Sequence, residues 1–534
     1  MNKTIRLTIG ILMFFTTSCG DHNSSKKIKE LRINIHDEPH TLDPRKGGDV
    51  ISSSLHFMLF DGLTSLNPDC STSPAQAESI EISDDSLTYT FHLRDSSWSD
   101  GSPVTAYDFE KAWKDILNPS FPAVNAHLLY PIKNAESAKK GLAPLDQVGI
   151  KSQDAKTLIV ELQHPTPYFL QLISFCVFFP VNSKIDQSYP DWASRADAHF
   201  IGNGPYILKT WKHNDEIVLE KNDRYWAKND IKLDAIRISM VSDGMTALQM
   251  YENNELDMIG APLSPIPVDA LSALIKKGTL HVSPVAGTTI CAFNNHRFPF
   301  TNVNIRKAFA LAINRDAIIK NVTQLNELIA TGPIPPVLKN HKNKEFFKDN
   351  DQTQAKEFLK KGLAELNVQP SDLNELIYCY STSEVNHKIA QALQQQWFEV
   401  LGIKVKLENL EYRVHLDKLT HRDYIMAQTI WLAQYSDQMN ILERYKFKTN
   451  PKNYAGWENE RFIQLLNASA LHQQSEDRMQ TLEEAEQLFI DDMPVSPIFH
   501  SNYAFLLKPR VKGFSLTPIG NIYYTKLYID KENE

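Results

Sequence analysis

Helix-like and strand-like patterns alternate along the second half of the chain, and this alternation limits the fold more than any other feature. Apolar residues recur near every fourth position over 385–400, which predicts an amphipathic helix of about four turns. Gly402 ends that helix, and the alternation over 403–407 predicts a strand. A similar helical spacing predicts a helix over 306–319. Helices that alternate with strands favour an α/β domain.

The first half shows shorter strand patterns separated by turn signals. Residues 31–35 and 87–93 alternate between apolar and polar side chains, which predicts two strands. Thr105 followed by Asp108 is typical of a capping box, so a helix is expected to begin there. Asn118 and the proline after it end that helix.

The size and charge of the chain exclude some classes of protein. Its 534 residues are too many for one hydrophobic core, so about two or three domains are expected. Hydrophobic residues make up 42% and charged residues 22%, as in an ordinary soluble protein. The net charge of −8 argues against a nucleic-acid binder, which usually carries a basic stripe.

The amino terminus has the order of a bacterial export signal. Lys3 and Arg6 precede the apolar run 7–15, and small residues lead to Cys19. This order predicts a cleaved signal with a lipid on Cys19, so the mature chain is expected outside the cytoplasm, tied to a membrane by acyl chains. The apolar run is far shorter than the ~20 residues that cross a bilayer. An ordinary cleaved signal without a lipid is the alternative. The polar segment 20–30 reads as a tether.

Catalytic and metal-binding motifs are missing from the sequence. It has no Gly-x-Ser-x-Gly elbow and no His-Glu-x-x-His pair, so neither an enzyme nor a metal site nor a cofactor is predicted. No cysteine lies in a C-x-x-C pair, which argues against a zinc or thioredoxin-type site. The cysteines after Cys19 are Cys70, Cys176, Cys291 and Cys379.

Several motifs follow one another along almost the whole mature chain. They are Glu-Pro-His-Thr-Leu-Asp-Pro at 38–44 with 60–63, then 89–94 with 98–109, 202–206 with 219–222, 293–295 with 306–315, and 401–403 with Trp-Leu-Ala-Gln-Tyr at 431–435. Together they resemble solute-binding family 5, the extracytoplasmic peptide-binding proteins of ABC importers. The oligopeptide-binding proteins are the most similar subgroup.

The resemblance implies an α/β fold with two lobes and an extra inserted domain. The implied fold is that of a periplasmic binding protein of type II, cluster C, with mixed sheets flanked by helices. The implied first lobe is discontinuous (31–50, 198–290 and 500–534), the inserted domain covers 51–197, and the second lobe covers 291–499. Crossings near residues 290 and 499 would let the lobes close on a ligand.

The resemblance also implies that the protein binds and delivers a ligand and catalyses no reaction. An extended peptide is held mainly by main-chain hydrogen bonds and delivered to the permease and ATPase subunits of an importer. The protein is expected to be a monomer, in the periplasm or on the cell surface, with no nucleic-acid partner. The segments that match the ligand-binding backbone contain Glu38, Pro39, His40, Ile430, Trp431 and Leu432.

One departure from the family pattern concerns ligand charge. The family usually has an aspartate, which pairs with the ligand's amino group, where this chain has Gln434. Asp437 is a substitute or a capping residue. Gln428 and Asn386 are neutral where the family often has basic groups. These differences suggest an altered ligand, such as a cell-wall peptide whose ends are not simple charges. Cys291 is expected to be unpaired, because the partner position in some relatives is a leucine here.

Other functions remain open from the sequence. Nickel chelate, haem or a sugar are alternative cargoes within the family. A surface receptor that has lost transport would keep the same fold. A secreted hydrolase is the alternative from another class, and it would need a nucleophile, a base and oxyanion donors in one place.

Overall fold

The computed structural model describes residues 28–339, 344–472 and 475–530. The predicted signal and Cys19 lie outside these residues. The strands are β1 (Glu30–Ile35), β2 (Thr64–Leu66), β3 (Thr72–Pro74), β4 (Ala77–Ile82), β5 (Thr88–Leu93), β6 (Ile150–Ser152), β7 (Thr157–Glu161), β8 (Tyr206–Lys212), β9 (Glu216–Lys221), β10 (Ala235–Met240), β11 (Met258–Gly260), β12 (His281–Phe293), β13 (Leu328–Ile329), β14 (Leu376–Ser381), β15 (Val405–Leu410), β16 (Met426–Leu432), β17 (Val495–Leu507), β18 (Val511–Lys512) and β19 (Tyr528–Ile529).

Helices surround these strands. They are α1 (Val50–Leu59), α2 (Ala106–Leu117), α3 (Ala135–Lys139), α4 (Phe169–Leu172), α5 (Ser183–Ser188), α6 (Gly244–Glu252), α7 (Val268–Lys277), α8 (Val303–Leu311), α9 (Arg315–Ile318), α10 (Gln352–Leu366), α11 (Glu384–Leu401), α12 (Tyr412–His421), α13 (Met439–Leu442), α14 (Glu460–Ser469) and α15 (Ser475–Asp492). Among the described helices, none combines the length and the apolar character that a bilayer crossing requires.

One large mixed sheet runs through both lobes. Its order is β15-β14-β16-β12-β17-β11-β1-β10-β9-β8, and β13 pairs with β17. The long antiparallel strands β12 and β17 lie at the centre and join the two halves of the sheet. Their register shifts between Pro284 and Thr288, at the passage from one half to the other. The predicted two-lobed α/β fold is confirmed.

A separate antiparallel sheet lies on the first lobe. Its order is β4-β5-β7-β6, and α2 packs against it. The indole of Trp113 on α2 is fully buried and donates a 2.8 Å hydrogen bond to the carbonyl of Phe178. This sheet falls within 51–197, the range predicted for the inserted domain. The exact domain limits stay a prediction.

Local sequence signals account for several of these elements. Asp108 accepts from the backbone N–H of Thr105 at 3.0 Å, so the predicted capping box opens α2. Gly402 has φ +73°, a left-handed conformation that suits glycine, and it ends α11 as predicted. The predicted strand at 403–407 is β15.

The prediction of one continuous helix over 306–319 is wrong. The chain leaves the helical conformation after α8 and starts again at α9. Asn314 is extended, and its side chain caps α9 by accepting from the Ala317 N–H at 2.9 Å. Gln396 on α11 accepts the backbone N–H of Asn314 at 2.9 Å. The break is therefore held by a contact with a distant part of the chain.

The described cysteines are all free thiols. Cys176, Cys291 and Cys379 are buried, and Cys70 is partly buried. Burial raises the pKa of Cys291 well above its ordinary value, so this thiol is protonated at neutral pH.

Two buried histidines make the stability of the fold depend on pH. Burial is the main cause that lowers the pKa of His500 to about 3 and that of His56 to about 4. An unfolded histidine has a pKa of about 6.5, so below that pH the unfolded chain takes up protons that the native protein refuses. We expect the free energy of unfolding to fall by about 2–4 kcal/mol between pH 7 and pH 5. Urea unfolding at both pH values measures the change.

The control compares two histidine variants. His500 lies 2.9 Å from the Thr288 hydroxyl (Nδ1 to Oγ1), and His421 is exposed. We expect His500→Gln to remove about half of this pH dependence, because His56 still contributes, and His421→Gln to leave it unchanged. An unaltered pH dependence in His500→Gln would contradict the assignment.

Candidate ligand-binding cleft

A cavity lies between the two lobes. It holds about 1380 Å³ of space, part of it open to solvent. The first lobe contributes residues near α7, the second lobe contributes residues of α11, α12 and β16, and β17 crosses behind it. Its walls include Ser264, Leu271, Thr289, Thr323, Glu327, Asn386, Tyr412, His415, Gln428, Ile430, Tyr454, Phe499 and Tyr503.

One edge of β16 is open where the strand borders this cavity. Along its inner edge β16 pairs with β12 over its whole length. On the outer edge β14 pairs only at Met426 and Ala427. Within the described ranges no strand pairs with the outer edge of β16 from Gln428 to Leu432. Ile430, in this stretch, is 46% exposed. An open edge of this kind can pair with an extended chain.

Gln428 and Asn386 form a neutral wall of the cavity. Gln428 Nε2 donates to Asn386 Oδ1 at 2.8 Å, and Asn386 Nδ2 donates to the Ser381 carbonyl at 3.1 Å. His415 Nε2 lies 2.8 Å from the Gln428 carbonyl. Burial lowers the pKa of His415, which keeps the imidazole neutral at pH 7. This wall therefore presents amide dipoles and no net charge.

Gln434 connects the second lobe to the inserted region. Its Nε2 donates to Asn125 Oδ1 at 2.9 Å. Nearby, Lys452 Nζ lies 3.5 Å from His127 Nε2, again between the second lobe and the inserted region. Burial, with help from the charge of Arg444, lowers the pKa of Lys452 to about 7. The groups around Gln434 and Lys452 thus include the amide of Asn125, the cation of Arg444 and the carboxylate of Glu443.

Asp437 is already paired. Its two carboxylate oxygens accept from Arg478 at 2.8 and 2.9 Å. Its Oδ1 also accepts the backbone N–H of Met439 at 2.9 Å, at the start of α13. Both oxygens are occupied, so the structure favours the capping role over the alternative of a substitute for the missing aspartate.

The segment Glu38 to His40 lies beside β8. Glu38 Oε1 accepts from the Trp211 indole at 2.6 Å, and Oε2 accepts from the Asn214 N–H at 2.7 Å. Pro39 is buried and His40 is exposed. None of the three side chains lines the cavity described above.

Trp431 and Leu432 are the last two residues of β16, and contacts with Arg444 and Tyr445 hold them in place. Trp431 is buried, donates to the Tyr445 hydroxyl at 2.7 Å, and carries the Arg444 guanidinium 4.4 Å from its ring centre. The same guanidinium donates to the Leu432 carbonyl at 3.0 Å. These contacts fix the end of the open strand.

Asn386, Gln428 and Ile430 are the predicted residues that line the cavity. Glu327 also lines the cavity, and no pattern in the sequence distinguishes it from the other acidic residues among the 64 in the chain. Across the described ranges, no cluster of three or more histidine, cysteine, aspartate or glutamate side chains is arranged to hold a metal ion.

Comparison with known proteins identifies the family. The model described as "Bacterial extracellular solute-binding proteins, family 5 Middle" matches residues 71–453. The chain belongs to this family. The resemblance seen in the sequence is thereby confirmed, and members of the family are solute-binding proteins rather than enzymes.

Individual family 5 proteins match over nearly their full length. The oligopeptide-binding protein OppA of Bacillus subtilis is 41% identical over 518 residues, which cover 96% of this chain and 95% of the relative. The dipeptide-binding protein DppE of the same organism is 36% identical and covers 94% and 93%. The crystal structure of Haemophilus influenzae OppA in complex with the peptide RPPGFSPFR has a TM-score of 0.83 at 28% identity, and covers 95% of this chain and 99% of that one.

Proposed function

We propose that this protein is the extracytoplasmic substrate-binding component of an ABC peptide importer. It binds an extended oligopeptide between its two lobes and delivers the peptide to a membrane permease. The observation that carries the proposal is the open outer edge of β16 on the wall of the cavity between the lobes. The peptide-binding names of the two Bacillus subtilis relatives and the peptide in the Haemophilus structure support it.

The geometry explains how such a site accepts many sequences. Main-chain hydrogen bonds to the edge of β16 are blind to the ligand's side chains. The cavity, whose space of about 1380 Å³ is partly open to solvent, leaves room for side chains and for water that adapts its own hydrogen bonds. The lobes are proposed to close by bending at the two central strands, β12 and β17, with the domain limits predicted from the sequence. Of the predicted contacts, Ile430, Gln428 and Asn386 are proposed to meet the ligand directly.

The partners follow from this role. The permease and ATPase subunits of an importer are proposed as protein partners of a monomer. A lipid on Cys19 is proposed to hold the mature protein at a bacterial membrane, in the periplasm or on the cell surface. The export pattern before Cys19 supports this location.

The proposal predicts tight binding that depends on the ligand's backbone. The secreted chain would be unfolded to release bound cargo, refolded, and titrated calorimetrically with tri- to pentapeptides. We expect saturable binding with a dissociation constant in the micromolar range or below. The same peptides with N-methylated amides are expected to bind about 10-fold more weakly or worse, because each lost backbone hydrogen bond costs about 0.5–1.5 kcal/mol.

Different outcomes separate the possible cargoes. Equal affinity for normal and N-methylated peptides would contradict pairing with β16. Binding of muramyl-type peptides only would narrow the cargo to cell-wall fragments. No binding of any peptide would overturn the proposed function.

A further inference from the structure

Glu327 occupies a special position in the cleft. It lies immediately before β13, which pairs with the central strand β17. Asn502 on β17 donates to the Leu325 carbonyl at 3.0 Å and thereby holds the segment that carries Glu327. The side chain lines the cavity between the lobes, although the residue is only 7% exposed. A rigid part of the fold therefore presents this carboxylate to the cleft.

The carboxylate of Glu327 has no cationic partner among the described residues. Its Oε2 accepts a 2.7 Å hydrogen bond from the Thr323 hydroxyl. Within the described ranges no lysine, arginine or histidine nitrogen comes within ion-pair distance of it. A buried carboxylate is costly unless a positive charge or several hydrogen bonds compensate it. The Thr323 hydroxyl and weaker interactions with the backbone N–H groups of Glu327 and Leu325 compensate the burial only in part, because the pKa of Glu327 stays raised.

Among the described residues that line the cavity, Glu327 is the only aspartate, glutamate, lysine or arginine. The other titratable groups there are His415, Tyr412, Tyr454 and Tyr503. Burial lowers the pKa of His415 and raises the pKa of each of these tyrosines, so all four are neutral at pH 7. No cation of the wall competes with a ligand for the carboxylate.

We propose that the Glu327 carboxylate binds a positively charged nitrogen of the peptide ligand and so sets the charge preference of the site. The inference rests on the proposed function and adds a substrate class to it: peptides with an ammonium or guanidinium group that reaches this wall. In this interpretation, Glu327 takes the role of the aspartate that the family usually has at the position of Gln434. The neutral Gln434 then does not imply an uncharged ligand. The cation comes from the peptide's amino terminus or from a basic side chain.

Four peptides with amidated carboxyl ends distinguish these two sources. Acetylated Ala-Lys-Ala is compared with acetylated Ala-norleucine-Ala, which lacks only the side-chain ammonium. Ala-Ala-Ala with a free amino terminus is compared with its acetylated form. In the wild-type protein we expect the cationic member of at least one pair to bind about 10- to 100-fold more tightly than the neutral member.

The variant Glu327→Gln tests the residue. It keeps the size of the side chain and its ability to accept from Thr323, so the fold is expected to persist, as circular dichroism can verify. We expect it to remove the preference for the cationic peptide and to leave the affinity for the neutral peptide unchanged within about 2-fold. Glu484→Gln on α15, an exposed residue, removes the same charge elsewhere and is expected to change neither affinity.

The pH dependence provides an independent readout. Burial raises the pKa of Glu327, so the carboxylate is partly protonated in mildly acidic solution. Affinity for the cationic peptide should therefore rise between pH 5 and pH 7, while affinity for the neutral peptide stays constant. Equal binding of charged and neutral peptides by the wild type, or a preference that survives Glu327→Gln, would overturn this inference and leave the proposed function intact. Failure of all four peptides to bind would instead overturn the proposed function.

Discussion

Replacing Lys339 with methionine is expected to lower the free energy of unfolding by about 3–5 kcal/mol. Lys339 Nζ lies 2.5 Å from Glu486 Oε2, and the Glu486 side chain is completely buried on α15. Without the ammonium, the carboxylate stays in the protein interior, and its remaining hydrogen bond among the described residues is that from the Ile334 N–H at 3.3 Å. Urea unfolding at pH 7.5 measures the loss.

The pH dependence and a double variant check the cause. Burial already raises the pKa of Glu486, and loss of Lys339 raises it further. A raised carboxyl pKa means that stability is lost as pH increases, so Lys339→Met should be less impaired at pH 5 than at pH 7.5. The double variant Lys339→Met/Glu486→Gln is expected to regain most of the loss.

An exposed ion pair supplies the matched control. Lys140 contacts Glu136 at 2.6 Å, with both side chains more than half exposed. Lys140→Met should therefore cost less than about 1 kcal/mol. A similar cost for Lys140→Met and Lys339→Met would show that burial of Glu486 is not the reason.

Replacing Tyr168 with alanine is expected to weaken peptide binding by about 10- to 100-fold. Tyr168 belongs to the inserted region, and its ring stacks on Tyr435 of the second lobe with centroids 4.9 Å apart. Its hydroxyl donates to Glu443 at 3.5 Å, and Tyr435 donates to the same carboxylate at 2.9 Å. These contacts join the predicted inserted domain to the predicted second lobe, so we expect them to break when the cleft opens and their loss to favour the open form. Calorimetry measures the affinity, and small-angle scattering of the unliganded protein measures the opening.

Two further variants separate closure from local damage. Tyr168→Phe keeps the stacked ring and should weaken binding by only about 2- to 5-fold, the effect of one hydrogen bond. Tyr189 lies in the same region but is 44% exposed and packs on His199. Tyr189→Ala should leave affinity and scattering unchanged. Normal affinity with normal scattering in Tyr168→Ala would contradict its role in closure.

Local sequence patterns were sufficient to predict a helix whose bounds are set by its own residues. The apolar spacing and Gly402 define α11, and Thr105 with Asp108 define the start of α2. The break between α8 and α9 could not be read in this way. It depends on Gln396, a residue of another helix that holds Asn314 in an extended conformation.

The candidate site was predictable only in part, for a similar reason. The resemblance to the family located Gln428, Asn386 and Ile430 on the cavity wall, because their order in the chain follows the family pattern. Glu327 looks like any surface acid in the sequence. Its importance arises when segments far apart in the chain enclose it in a cavity whose other titratable groups are neutral. The ion pair between Asp437 and Arg478 also joins distant parts of the chain, so the sequence alone does not reveal that this carboxylate is already neutralised.

The central position of β17 has a consequence for the order in which the protein can fold. Met258 on β11 pairs with Leu507 on β17, and β13, β14, β15 and β16 are all made before β17. A polypeptide that emerges amino terminus first therefore leaves the edge of β11 that faces β17 unpaired until β17 itself has been made. Such an edge is prone to wrong pairing with other chains. β17 is thus needed to complete the sheet of the first lobe, and truncation shortly before β17 should produce an aggregating chain rather than a smaller folded one.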